Sequence, residues 1–178
     1  MERAVRKRLR LSQYDYRQAG AYFVTICVDQ RRCILWQNPV GAHSVRPEDL
    51  QAGRCLSAAG IAVDLAIRQI PEHYQAVRVE KYVIMPNHVH LLLSFQHIVD
   101  IQDGGRTLCA PTLSRVIKHL KECVTKQLGR PIWQKSYHDH IIRDERDFLQ
   151  VWQYIDGNPA QWLEDSYYEN EGNGGSSS

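Results

Sequence analysis

Apolar and polar residues alternate along this chain with two periods, and together they predict four strands and three helices. Residues 21–28, "AYFVTICV", are dense in β-branched and aromatic types and predict a strand. A loop with Asn38-Pro39, Gly41 and Pro47 follows. In "LSAAGIAVDLAIRQIPEHY" the apolar residues Ile61, Leu65 and Ile70 recur at helical spacing. A helix is expected over about 58–70, with Pro71 as its stop. Two apolar runs, 76–85 and 88–95, flank Pro86-Asn87 and form either a hairpin or one strand bending into a second. Residues 101–109, "IQDGGRTLC", read as a loop. The next segment places Leu113, Val116, Ile117, Leu120 and Val124 on one helical stripe, with Pro111 near the start and Gly129 just past the end. Its outer face carries Lys118, Lys121 and Lys126. Residues 132–142, "IWQKSYHDHII", predict the fourth strand, and Asp144 is a candidate N-cap for a last helix that Pro159 limits.

The order β, α, β, β, α, β, α fits an α+β fold with a ferredoxin-like split β-α-β core, a mainly antiparallel sheet with helices packed on it. The length of 178 residues is about that of one domain. The domain is expected over residues 1–168, with 1–12 as a basic arm and 169–178, which ends in "EGNGGSSS", as a flexible tail.

Composition narrows the class. With 43% apolar and 24% charged residues, the chain reads as a globular protein. No apolar run reaches the roughly 20 residues of a membrane span, so no membrane partner is expected. The basic start lacks an apolar segment behind it and does not read as a secretory signal. Cys27, Cys33, Cys55, Cys109 and Cys123 are odd in number and widely spaced, which argues against a disulfide framework and favours a reducing cytoplasm. The net charge of +2 says little by itself. Its distribution says more: Arg3, Arg6, Lys7, Arg8 and Arg10 crowd the first ten residues, as a solvated end or as a grip on phosphates.

Candidate chemistry begins in "KYVIMPNHVHLLLSF", residues 81–95. On a strand, residues two apart share a face, so His88, His90, Leu92 and Ser94 point one way and Val89, Leu91, Leu93 and Phe95 the other. Two imidazoles on one face can converge on one divalent cation; the plainer alternative is that each ring hydrogen-bonds a neighbour. Two histidines seldom complete a site, so a third ligand is required. The HxHxDH pattern of metallo-β-lactamase-type hydrolases fails, because Leu92 and Leu93 stand where Asp and His would be needed. A second such pair, His138 and His140, reads as a further ligand group, a DNA-facing patch or solvated rings.

In the last helix Phe148, Val151, Trp152 and Ile155 form an apolar arc. Tyr154 and Asn158, four apart, share one flank at the edge of that arc. Asn158 offers a hard carbonyl oxygen suited to Mg2+ or Mn2+. Tyr154 offers a phenol, a weak nucleophile until a base or cation favours its phenolate. A packed tyrosine and an ordinary Asn-Pro helix end account for the same residues.

Two separate stretches resemble one family. "YVIMPNHVHLLL" resembles the histidine–hydrophobic–histidine (HUH) motif of single-tyrosine HUH transposases. Residues 132–162 resemble the C-terminal signature of the REP-associated tyrosine transposases, in Trp133-Gln134, Asp139-His140-Ile141-Ile142-Arg143 and Tyr154-Ile155-Asp156-Gly157-Asn158-Pro159. "YFVTICVDQRRCILW" is similar to the family's first strand, and the likeness spans roughly residues 14–165.

The resemblance implies a ferredoxin-like sheet, His88, His90 and Asn158 as ligands of Mg2+ or Mn2+, and Tyr154 as nucleophile. It implies a bacterial, cytoplasmic and nucleoid-associated enzyme, monomer or homodimer. Such an enzyme cuts and rejoins single-stranded DNA at palindromic hairpin repeats through a 5′-phosphotyrosine bond. Such a substrate needs a basic track and stacking surfaces, for which the N-terminal arginines, Lys7, Lys118, Lys121, Arg143, Trp133 and Tyr137 are candidates. Gly157 weakens the helix just before Asn158. Two other readings remain open: a catalytically silent hairpin-binding protein, and an unrelated metal hydrolase using the histidine pair with a carboxylate such as Glu80.

Overall fold

Antiparallel pairing of the first strand with the histidine strand organises the sheet. The computed structural model describes residues 20–37, 56–96 and 111–158. Among these, the strands are β1 (Gly20–Cys27), β2 (Val77–Ile84), β3 (His88–Phe95) and β4 (His138–Ile142). The helices are α1 (Ala58–Arg68), α2 (Ile70–His73), α3 (Leu113–Leu128) and α4 (Glu145–Gly157). The strands form one sheet in the order β2-β3-β1-β4, and every neighbouring pair is antiparallel. This is the ferredoxin-like arrangement expected from the element order. Pro86-Asn87 makes a hairpin turn, closed by the Met85 amide donating to the His88 carbonyl at 2.8 Å. The basic arm with Arg3, Arg6, Lys7, Arg8 and Arg10, the loops at 38–47 and 101–109, Cys55 and the tail lie outside the described residues. Among the described residues no helix is long and apolar enough to cross a membrane.

The two faces of the sheet are covered differently. On one, Tyr22, Val24 and Ile26 of β1 and Val89, Leu91 and Leu93 of β3 meet α1 through Val63, Ala66 and Ile67, and α3 through Val116, Ile117, Leu120 and Val124. Each fully buried side chain of this kind contributes about 1.5–3 kcal/mol, so this layer supplies most of the stability. Among the described residues the opposite face carries α4, over a small cluster of Leu92, Val151 and Ile155 rimmed by Phe23, Val83, Phe148 and Trp152.

Helix ends follow the chemistry of their caps. Ser57 accepts the Gly60 amide and Thr112 the Arg115 amide, while Asp144 accepts from Asp147 as its position predicts. Gly129 ends α3 in the left-handed region, at φ 68°.

Three expectations are corrected. Ile61 and Leu65 are exposed (47% and 45%), and α1 instead buries Ala62, Val63, Ala66 and Ile67. Its apolar residues outnumber those the sheet can cover, so sequence spacing alone does not choose the stripe. Pro71 does not close a helix but stands in the first turn of α2, where its missing amide hydrogen is no loss. The fourth strand is shorter than 132–142: Trp133 makes only an isolated bridge to Val28, and regular pairing starts at His138.

Gly60 lies where α1 crosses the backbone of Leu35. A Cβ there would sit 2.2 Å from the Leu35 carbonyl oxygen, which already accepts the Ser57 amide at 2.9 Å. Alanine gains roughly 0.8–1.0 kcal/mol of helix propensity, but overpacking against fixed backbone costs about 1–3 kcal/mol. Gly60→Ala should therefore lower the urea midpoint, and an unchanged or higher midpoint would mean that α1 shifts without cost.

Candidate active site

Strand alternation puts both histidines on the sheet face opposite the main core. Cys27 lies across from His88, Thr25 from His90 and Phe23 from Leu92. Both rings are fully buried, and their Nε2 atoms stand 2.9 Å apart. Each ring is held from behind through its other nitrogen: His88 Nδ1–H donates to Asn87 Oδ1 at 2.8 Å, and His90 Nδ1 lies 2.9 Å from Thr25 Oγ1. The Asn87 contact fixes the His88 lone pair on Nε2. Without a cation, His90 Nε2–H donates to that lone pair and His90 Nδ1 accepts from the Thr25 hydroxyl; because the hydroxyl also accepts, the His90 proton can move to Nδ1 and free Nε2 for an ion. Outer partners of this kind orient metal-binding imidazoles.

Burial makes these rings hard to protonate. The His88 pKa is lowered to about 2, first by desolvation and then by the charges of His90 and Arg31; that of His90 is lowered to about 3 by desolvation. At neutral pH both present uncharged nitrogens. A 2.9 Å gap suits two donors reaching one ion, each at about 2.0–2.1 Å.

Helix α4 brings the last helix's candidates to the same face. The Tyr154 hydroxyl is 3.4 Å from His90 Nε2. Phe23 stacks on His90 with centroids 5.1 Å apart and meets the Tyr154 ring edge-on at 5.8 Å. Tyr154 remains 43% exposed, so the phenol is open to a ligand from solvent. One turn further on the same flank, Asn158 is 2% exposed. Its Oδ1 has no hydrogen-bond partner among the described residues. A buried carbonyl oxygen without a partner costs about 1–3 kcal/mol, and a cation would satisfy it. Asn158 keeps helical angles (φ −57°, ψ −43°) despite Gly157 before it and Pro159 after it.

The candidate donors are two neutral nitrogens and an amide oxygen; among the described residues no group of three His, Cys, Asp or Glu side chains is placed to hold a metal. Glu80 does not join the pair, since its carboxylate accepts the Ser94 hydroxyl. That removes the carboxylate on which the hydrolase reading leaned. His140 is committed elsewhere, its Nε2 2.9 and 3.0 Å from the Asp147 carboxylate oxygens, and His138 is exposed.

The remaining DNA-contact candidates are scattered. Lys118, Lys121, Trp133 and Tyr137 line a groove of about 610 Å3 between α3 and residues 131–137, away from the face that carries Tyr154. There Lys121 donates to the carbonyls of Gln134 (2.8 Å) and Ser136 (2.9 Å), and burial lowers its pKa to about 8. It clamps a loop rather than standing ready for phosphate. Trp133 is buried, the Tyr137 hydroxyl lies 3.3 Å from Ser114 Oγ, and Lys118 faces Glu122 at 3.6 Å on the surface. Arg143 is exposed just before α4, its amide donating to Asp147. The supporting residues Thr25, Phe23 and Asn87 were not evident from sequence. Asn87 stood beside the motif, but Thr25 and Phe23 become neighbours only through the β1–β3 register.

Comparison with known proteins follows the same lines. Residues 60–158 match the family of IS200-like transposases. An uncharacterized protein of Haemophilus influenzae is 30% identical over 181 residues, covering 92% of this chain and 93% of that protein. A putative REP-associated tyrosine transposase of the same organism is 30% identical over 103 residues, 54% of this chain and 56% of that one. In fold, the chain is similar to a REP-associated tyrosine transposase solved bound to a REP hairpin. The TM-score is 0.53 at 20% identity, over 85% of this chain and 74% of the other.

The imidazoles also set a dependence on pH. Below about pH 6.5 an unfolded histidine binds a proton, while these two stay neutral in the fold down to about 3 and 2. The unfolded state then holds more protons, so stability falls as pH falls, by up to about 1.4 kcal/mol per pH unit for each ring. Metal-free protein should show a lower urea midpoint at pH 5 than at pH 7, and His90→Gln should flatten the dependence. Equal slopes for the two proteins would mean that the His90 ring is hydrated.

Proposed function

Because the chain belongs to the IS200-like transposase family, we propose that it cuts and rejoins single-stranded DNA beside palindromic hairpins, with Tyr154 as nucleophile. The observation that carries this reading is the 3.4 Å approach of the Tyr154 hydroxyl to His90 Nε2, from elements 64 residues apart. Support for a hairpin substrate comes from the REP-associated relatives in sequence and fold.

His88, His90 and Asn158 fit a divalent cation such as Mg2+ or Mn2+: two uncharged nitrogens converge, and a buried oxygen on the Tyr154 flank has no partner among the described residues. Held there, the ion would supply Lewis-acid polarisation of the scissile phosphate. The chain does the rest. Thr25 and Asn87 keep the rings oriented. Phe23 packs edge-on against the Tyr154 ring, restricting the directions in which the phenol can point. The phenolic oxygen attacks phosphorus in line and forms the 5′-phosphotyrosine bond. Its proton passes to water on the exposed side of the ring, and the released 3′-oxygen takes one up. In the reverse direction the 3′-hydroxyl attacks the phosphotyrosine, expels the phenol and restores the phosphodiester. Since one ester replaces another, no nucleotide cofactor is consumed. Arg143 and Lys118 are the exposed basic candidates for the DNA backbone within the described residues.

A labelled hairpin oligonucleotide with a single-stranded flank tests this directly. In Mg2+ or Mn2+ the protein should form a covalent adduct seen on a denaturing gel. Tyr154→Phe should reduce the adduct by at least about 10³-fold while keeping Mn2+ binding. His88→Ala and His90→Ala should weaken Mn2+ binding, read by calorimetry. Cleavage that survives in Tyr154→Phe would refute the covalent mechanism, and binding without any adduct in the unmodified protein would leave a hairpin-binding protein.

A further inference from the structure

Lys81 faces the site only because β2 is irregular. Val79 pairs with Leu93 and Lys81 with Leu92, so Glu80 is an extra residue at a bulge. Simple alternation from Val79, which packs against the main core, would turn Lys81 toward that core as well. The bulge reverses the phase and turns Lys81 and Val83 to the face covered by α4. Ser94 fastens it by donating to the Glu80 carboxylate.

Once re-aimed, Lys81 grips α4 at two points. Its ammonium pairs with the Asp156 carboxylate at 2.5 Å and lies 4.2 Å from the centre of the Trp152 ring. Trp152 and Asp156 are one turn apart and share a flank of the helix. At about 100° per residue, that flank lies across the apolar strip of Val151 and Ile155 from the flank bearing Tyr154 and Asn158. The strip is the axis of a rocker: Lys81 on edge strand β2 holds one side, and Tyr154 meets His90 on the other. Among the described residues α4 sits on a small cluster and is tied near its start by His140 and the Arg143 amide to Asp147, while Lys81 holds the Trp152 and Asp156 flank near its end. Asp156 is 62% exposed, so the ion pair alone is weak. The Lys81 side chain is largely covered, at 18% exposure, and desolvation strengthens a cation's contact with the ring.

We propose that Lys81 is a positioning residue that fixes the roll of α4 and so the placement of the Tyr154 hydroxyl against the histidine pair. The inference rests on Tyr154 as nucleophile. Misplacing a reacting group by about 1 Å can lower a rate by about 10²-fold. Lys81→Met, which keeps the apolar stem, should reduce the single-turnover rate of adduct formation by tenfold or more while leaving the DNA Kd within about twofold. Lys81→Arg should restore most of the rate, because a guanidinium also stacks on indole and pairs with a carboxylate. Asp156→Asn should lower the rate in the same direction, and adding it to Lys81→Met should cost less than the product of the two effects.

Amide hydrogen exchange over residues 151–157 supplies a readout apart from activity: it should quicken in Lys81→Met while β1 and β3 stay protected. A Lys81→Met protein with an unchanged rate and unchanged exchange overturns the proposal. So does a raised DNA Kd with α4 exchange unaltered, since Lys81 would then be touching DNA itself. If the unmodified protein forms no adduct, the functional reading fails, and exchange alone decides whether Lys81 holds the helix.

Discussion

Everything at this site depends on keeping two imidazoles dry. Burial makes His88 and His90 hard to protonate, so near neutral pH each meets the other as a neutral ring whose proton is placed by a neighbour. Asn87 and Thr25 do that placing, and burial under Phe23 and α4 keeps out the solvent that would otherwise scramble it. A buried pair of nitrogen donors is an unstable idea in isolation. It persists because the strands carrying it are welded to a much larger core on their other side.

That separation of tasks runs through the fold. Leu91 and Leu93 point into the layer shared with α1 and α3, while His90 and Leu92, their neighbours in the chain, point away. One strand therefore serves stability on one side and chemistry on the other. Among the described residues, the helix with Tyr154 and Asn158 is attached through a small apolar cluster and through polar ties that include His140 to Asp147 near its start and Lys81 to Asp156 near its end. A nucleophile on a lightly held helix can be aimed, and can be misaimed, without disturbing the sheet.

The basic residues divide in an instructive way. Lys118, Lys121 and Lys126 fall on the outer face of α3 in sequence, but packing gives Lys118 and Lys121 different duties. Lys118 lies on the surface, whereas Lys121 folds inward to hold the carbonyls of the 134–136 loop. A lysine's reach of several ångströms lets tertiary surroundings, not its helical position, decide whether its charge faces solvent or backbone.

The sequence by itself determined what backbone geometry repeats over short distances. It set the alternation that puts His88 and His90 on one face, the α3 stripe from Leu113 to Val124, the Asp144 cap and the shared flank of Tyr154 and Asn158. Strand and helix periods are fixed by the local chain, and such signals survive without knowledge of neighbours. Only the tertiary structure decided that Thr25 backs His90, 65 residues away, that a bulge turns Lys81 toward α4, and that α1 exposes Ile61 and Leu65 while burying Val63 and Ile67. Those outcomes depend on register, on a one-residue change of phase and on which side of a helix the sheet can cover. All three are settled by packing between distant segments, which no local spacing encodes.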